Sequence, residues 1–255
     1  MLQKSRVKQL LKEGKVVYGT FVKSTDPAVI EILGHIGFDF AIIDNEHIGM
    51  SKQTLTALIR AAQLAGIEPI VRVRSKDTQE ILQTLDAGAQ GIQVPNVDTL
   101  DDMRGVSDAV YFAPKGKRGF ATTSRAAQYG LTNIDSYVKE VEDQVMIITH
   151  CETVESVKTL EQQISLHAHD AFFIGPMDMS QSVGVIGHPE DPKVEKVITE
   201  AIETCRKHKV PFGTVVGSKE ALQKYIDLGM QYAVLKSDFG FLADGAKRML
   251  EQIKK

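Results

Sequence analysis

Hydrophobic residues along this chain follow two alternating spacings. Short runs rich in Val, Ile and Phe are followed by longer stretches in which apolar residues recur every three or four positions. The first spacing predicts strands and the second amphipathic helices. Eight runs are strand-like: 16–22, 38–44, 69–73, 91–95, 145–150, 171–174, 211–216 and 232–236. They barely alternate between polar and apolar, the pattern of parallel strands covered on both faces. Helical spacing covers 27–33, 54–64, 78–85, 154–164, 194–205, 220–228 and 239–253. Gly34, Gly66, Gly88 and Gly229 stand where a last turn ends and are expected to be left-handed helix terminators.

Eight such units without a break in composition predict an α/β fold, a single (β/α)8 barrel domain over residues 1–255. About 250 residues is the usual length of such a barrel. A doubly wound sheet is the competing arrangement, but no Gly-x-Gly-x-x-Gly follows the first strand. The segment 111–130 breaks the rhythm. Long irregular connections inside compact domains usually serve function. Because this one follows the fourth strand, it is expected to be an active-site loop on the catalytic face.

Composition narrows the function classes. The chain carries 43% hydrophobic and 25% charged residues, enough for a large core without disulfides or structural metals. Its net charge of −3 comes from interspersed signs. Neither a basic face for nucleic acid nor a polybasic patch for a membrane is present. Two cysteines do not make a disulfide framework. Residues 1–15 lack the apolar centre of a signal peptide, and no apolar run approaches the ~20 residues of a membrane span. A cytoplasmic protein is expected.

The chemistry of a barrel sits at the C-terminal ends of its strands. There the sequence places Asp44-Asn45-Glu46-His47 after the second run, Arg72 and Arg74 in and after the third, His150-Cys151-Glu152 after the fifth and Gly175-Pro176-Met177-Asp178 after the sixth. Glu152 and Asp178 converge from adjacent strands. They either cap the helices that follow or hold a hard divalent cation such as Mg2+ or Mn2+. Asp44 either orients His47 as a base or is a solvated loop acid. Arg72, in an apolar run, needs an anion: a structural acid or a substrate oxygen, which its fork of donors suits. His150 is either a satisfied rim histidine or a contact residue. Cys151 reads as a core filler.

The chain resembles the HpcH/HpaI aldolase/citrate lyase family nearly end to end. The resemblance rests on Gly19-Thr20-Phe21, Asp44-x-Glu46-His47, Val71-Arg72-Val73, Asp86-Ala87-Gly88-Ala89-x-Gly91, Arg118-Gly119, Arg125-Ala126-Ala127-x-Tyr129-Gly130, Glu152-Thr153, Ile174-Gly175-Pro176-x-Asp178-x-Ser180 and Ser237-Asp238. It implies a class II aldolase that splits or forms a 4-hydroxy-2-oxo acid, giving pyruvate or a related 2-oxo acid plus an aldehyde. Glu152 and Asp178 would bind Mg2+, Mn2+ or Co2+. Arg72 would contact the keto oxygen, and His47, paired with Asp44, would serve proton transfer. Glu46 and His150 would stand behind them. The backbone across Gly175, Pro176, Met177 and Asp178 would hold the substrate carboxylate.

The resemblance also implies a homo-oligomer, a hexamer or trimer of dimers with exchanged helices, in which 111–130 helps close a neighbour's site. Lys23 and Lys236, the strand-end lysines, are read as solvent-facing loop residues and not as Schiff-base formers. Two other readings compete: a CoA-ester lyase of the malyl type, and a non-catalytic barrel that binds a 2-oxo acid. Three departures from the family pattern bear on the substrate. His150 stands where Gln is usual, Arg74 where Pro is frequent, and Ala113-Pro114-Lys115 where Pro-Pro-x is usual.

Overall fold

A computed structural model describes residues 4–254. Eight parallel strands close into a barrel in sequence order. They are β1 (Val17–Val22), β2 (Phe40–Asp44), β3 (Glu68–Arg72), β4 (Gly91–Val94), β5 (Met146–Cys151), β6 (Ala171–Ile174), β7 (Phe212–Val216) and β8 (Tyr232–Ser237). Each pairs with its sequence neighbour, and β8 returns to β1. All eight predicted runs are strands, displaced by a residue or two at their ends.

The barrel interior follows the twofold period of a strand. Phe21, Phe40, Ile42, Ile70, Met146, Ile148, Phe173, Tyr232 and Val234 form one buried cluster, separate from the two clusters packed outward under the helices. Phe40 stacks on Tyr232 with ring centroids 4.3 Å apart. Gly19 makes room for them, because a Cβ there would stand 2.1 Å from the Phe40 ring. Val7 and Leu11 of α1 (Arg6–Lys12) join this cluster from the end where the strands begin. Two residues further along the same inward faces, the side chains change character. Phe21 is followed by Lys23, Ile42 by Asp44, Ile70 by Arg72, and Ile148 by His150 and then Glu152. The interior is therefore apolar at mid-height and ionisable above, while at the other end the buried Glu68 accepts from the Ser5 hydroxyl and the Val7 amide, each at 2.8 Å.

Most of the helices match the predicted stretches, with one correction to a terminator. Gly66, Gly88 and Gly229, the last of them after α10 (Lys219–Asp227), adopt φ of 73°, 98° and 95°, as expected of left-handed terminators. Gly34 does not. It lies inside α2 (Pro27–Ile36), and Gly37, at φ 104°, ends the helix. Gly34 answers to packing instead: a Cβ there would meet Ala65 Cβ at 2.7 Å, after the end of α3 (Lys52–Leu64).

The segment 111–130 also departs from expectation. A helix absent from the prediction, α5 (Leu100–Val110), precedes it, and α6 (Ile134–Gln144) follows it. Because α5 runs back along the barrel, the segment starts at the end where strands begin. Its contacts agree. Arg118 pairs with Asp86 at 2.6 Å, the Ala126 amide donates to the Asp86 carbonyl at 3.1 Å, and Arg125 donates to the Ala87 carbonyl at 3.0 Å. Asp86 closes α4 (Thr78–Asp86). The segment is thus not an active-site loop of its own barrel.

Candidate active site

At the opposite end, the acidic residues meet around Gly175. A Cβ on this glycine would lie 3.1 Å from Glu152 Cβ, 3.3 Å from Glu152 Oε2 and 3.4 Å from Asp178 Oδ2. Both carboxylates therefore border one small space, which the missing side chain keeps open. Neither acid is used as a helix cap. Thr153 caps α7 (Val154–Ser165) through a reciprocal box with Ser156. Gly175 occupies the cap position of α8 (Pro176–Ser182), where no side chain bonds the free amides. Among the described residues no three His, Cys, Asp or Glu side chains gather closely enough to hold an ion. A cation placed here would have two carboxylates as protein donors, a set that would suit Mg2+ or Mn2+ retaining several waters.

Glu152 is 5% exposed and held from two sides. Its Oε1 accepts the Asn96 amide at 2.8 Å, and its Oε2 lies 2.6 Å from His150 Nδ1. Burial works to raise its pKa. The nearness and hydrogen bond of His150, the Asn96 amide and the charge of Arg72 outweigh burial and bring it below the ordinary value. Behind His150 stands a chain that the sequence did not reveal. Gln93 Nε2 lies 2.8 Å from His150 Nε2, and the Tyr232 hydroxyl donates to Gln93 Oε1 at 3.2 Å. An amide nitrogen can only donate, so His150 Nε2 accepts and Nδ1 carries the hydrogen given to Glu152. The one sequence signal for Gln93 was a polar residue inside the short strand run 91–95.

Asp44 and Arg72 form the second half of the site. They are lateral neighbours in the β2–β3 register. Arg72 donates from Nε to Oδ1 at 3.0 Å and from Nη2 to Oδ2 at 2.7 Å, with Nη1 3.1 Å from Glu46 Oε2. Burial would raise the Asp44 pKa, but the hydrogen bonds and charge of Arg72 hold it below the ordinary range. Burial pushes Glu46 upward against the pull of Arg72. The expected pairing of Asp44 with the His47 imidazole does not form. Asp44 is fully buried and takes the guanidinium as its counter-charge; from the following loop it accepts the backbone amides of Glu46 and His47, each at 3.3 Å. The His47 side chain is 57% exposed, with Nε2 3.8 Å from Glu46.

Two cavities of about 410 and 270 Å3 adjoin these groups and share His47 and Asp178. Arg72, His150, Gly175 and Met177 line the larger one, with Phe21, Phe173 and Val215 as its apolar wall. Lys23 and Lys236 line it too, which corrects their reading as solvent-facing loop residues. Lys23 continues the inward face of β1. Lys236, at φ 45°, lies within the irregularity where β8 slips against β1. Each faces an acid: Lys23 Nζ is 3.9 Å from Asp44 Oδ2, and Lys236 pairs with Asp244. Each terminal nitrogen therefore already has a carboxylate partner. Burial drives the Cys151 thiol up to about 12, so it is no thiolate.

The backbone around Gly175 is partly committed. The Gly175 amide donates to the Cys151 carbonyl at 3.3 Å, and Pro176 has no N–H. Met177 and Asp178 supply the donors that remain in the first turn.

The chain as a whole is similar to proteins of one family. The profile of the HpcH/HpaI aldolase/citrate lyase family matches residues 17–244. A 2-dehydro-3,6-dideoxy-6-sulfogluconate aldolase of Pseudomonas putida is 33% identical over 96% of this chain and 95% of its own length. A 4-hydroxy-2-oxo-heptane-1,7-dioate aldolase of Escherichia coli is 30% identical over 95% of this chain and 92% of its own. A solved HpcH/HpaI family protein from Burkholderia cenocepacia superposes with a TM-score of 0.94 at 26% identity, covering 99% of this chain and all of its own.

Proposed function

Because the chain belongs to the HpcH/HpaI aldolase/citrate lyase family, we propose that it is a divalent-metal-dependent aldolase. It is a carbon–carbon lyase that cleaves or forms a 4-hydroxy-2-oxo acid, with pyruvate or a related 2-oxo acid and an aldehyde as the smaller partners. The observation that carries this reading is the space beside Gly175, bordered by two carboxylates that make no side-chain cap bond to the helices that follow. Glu152 and Asp178 hold Mg2+, Mn2+ or Co2+. When bound, such an ion supplies Lewis-acid stabilisation for the negative charge that develops on the keto oxygen.

The chain's own residues do the rest. Arg72, locked by Asp44, presents a fixed positive charge toward the cavity and steadies the same developing charge. The unused amides of Met177 and Asp178 receive the substrate carboxylate. His47, exposed and free of the Asp44 carboxylate, carries protons between substrate and solvent. Glu46 orients Arg72 and stands within 3.8 Å of His47. His150 fixes Glu152. Phe21, Phe173, Val215 and the Lys23–Lys236 rim surround the part of the substrate beyond the 2-oxo acid.

The exposed apolar residues support a homo-oligomer, and the family resemblance implies a hexamer or trimer of dimers as its form. On α11 (Asp238–Ile253) only Asp238 is buried, while Leu242, Met249, Leu250 and Ile253 are all more than half exposed. Phe120, Tyr129 and Leu131 add a second apolar set in and beside the segment 111–130. Surfaces of this kind mark protein contacts, and a neighbouring copy satisfies both. No helix among the described residues is long and apolar enough to cross a membrane.

The decisive experiment condenses pyruvate with a panel of aldehydes in the presence of Mg2+, Mn2+ or Co2+. EDTA should abolish turnover, and borohydride added with substrate should leave every lysine unmodified. Covalent trapping on Lys23 or Lys236 would overturn the metal mechanism.

A further inference from the structure

The end of the barrel where the strands begin is not fully closed by α1. A cavity of about 570 Å3 lies between α1, the turn leading into β6 and the turn joining α9 (Pro192–Lys207) to β7. That volume is in the range that holds small organic ligands. It is separated from Glu152 and Asp178 by the length of the strands, and the proposed aldolase chemistry makes no use of it.

Its charge is one-sided. Among the described residues lining it, Asp170 is the one acid, and it is already satisfied. Lys8 Nζ lies 3.1 Å from Asp170 Oδ1, and the Ile147 amide donates to Oδ2 at 2.9 Å. Lys12, Arg206 and Lys209 also line the cavity and pair with no acid among the described residues. Of the three histidines there, His208 is engaged by Glu161 at 2.9 Å. His169 lies against Phe172 with ring centroids 4.5 Å apart, and its Nδ1 is buried without a hydrogen-bond partner. Burial, and after it the neighbouring His167, push the His169 pKa down to about 4.

We propose that this cavity is a binding site for a small organic anion carrying two or more negative charges, of the phosphate-ester or polycarboxylate class. Three unpaired cations on a concave wall focus a positive potential that concentrates such anions. Their number calls for more than one negative charge, and the volume for more than inorganic phosphate alone. Arg206 offers the planar fork that engages two oxygens of a phosphate or carboxylate at once, while Lys12 and Lys209 act as point charges.

The test is calorimetric titration of the metal-loaded full chain with two probes, glucose 6-phosphate and tricarballylate. Glucose and propionate serve as uncharged and singly charged controls. At least one multiply charged probe should bind with a dissociation constant below about 1 mM, and the controls should not. The tighter of the two identifies the phosphate or the carboxylate as the group recognised. The paired substitution Arg206→Gln and Lys209→Gln should weaken binding at least about tenfold while leaving aldolase turnover without added anion unchanged. Glu152→Gln, at the far end of the barrel, should leave binding intact while turnover is lost. Absence of binding by both probes, or binding indifferent to the paired substitution, overturns the proposal. Binding lost in Glu152→Gln also overturns it, because that result puts the anion in the metal site.

Discussion

His150 and Glu152 meet inside the barrel, with Nδ1 of the histidine 2.6 Å from Oε2 of the carboxylate. Glu152 directly follows the last residue of β5 and, two positions on from His150, continues the inward face of the strand. Gln93 and Tyr232 hold the far side of the ring, so the tautomer and the carboxylate orientation are fixed together. Groups that orient a metal ligand are typically worth 10–100-fold in metal affinity or activity.

Replacing His150 by Leu should therefore weaken Mn2+ binding by roughly 10–100-fold, measured by titration of the purified chain. His150→Gln should recover part of the loss, since an amide can also donate to Glu152. Equal affinity in the wild-type and His150→Leu proteins would remove the positioning role.

Arg72 has two duties that can be separated. In Arg72→Ala the fully buried Asp44 loses its counter-charge, which costs about 3–5 kcal/mol when a buried pair is broken. The double substitution Arg72→Leu, Asp44→Leu should restore much of that stability in urea unfolding at pH 7. Turnover should stay low in both variants, with metal affinity far less affected than turnover. The Asp44 pKa lies below its ordinary value in the fold, so its stabilising contribution is full at neutral pH and is lost as pH falls into the acid range.

Gly175→Ala tests the space between the acids directly. The added Cβ would stand 3.1–3.4 Å from Glu152 and Asp178, tight against the ligands but away from the main core. Metal affinity and turnover should drop by at least about tenfold with little change in the thermal midpoint. A variant that binds metal normally would place the ion elsewhere.

Histidine 169 makes stability depend on pH in a defined direction. Its pKa falls from the ordinary 6.5 to about 4 on folding. Between those values the unfolded chain binds the proton first, so stability declines as pH drops through that window. The full decline is about 2–3 kcal/mol, discounted for partial exposure of the ring. His169→Phe should flatten this part of the curve, checked by urea unfolding from pH 7 to pH 4.

The apolar face of α11 should be covered by another copy. Leu242→Glu together with Leu250→Glu places charge where both side chains are now more than half exposed. Light scattering should then show a smaller assembly, with the barrel's circular dichroism retained. An unchanged mass would remove α11 from the interface.

The sequence by itself determined the eight strands, most of the helices between them and the rim on which the ionisable residues fall. Hydropathy period and terminator glycines are local properties, legible within a window of a dozen residues. Gly66, Gly88 and Gly229 could be read this way. Gly34 could not, because its reason is the approach of Ala65 from the next helix.

Only the tertiary structure decided which way each strand residue faces. Strands buried on both sides do not alternate in hydropathy, so nothing local showed Lys23, Gln93 and Tyr232 to point inward. Pairing was equally hidden. Asp44 was expected to turn to His47, three residues on, whereas the lateral register brings it Arg72 from the next strand. A fully buried carboxylate takes the strongest counter-charge within reach, and that reach is set by neighbours across the sheet, not along the chain. The segment 111–130 lay beyond local reading for the same kind of reason. A single additional helix, α5, carries the chain to the other end of the barrel before the segment begins.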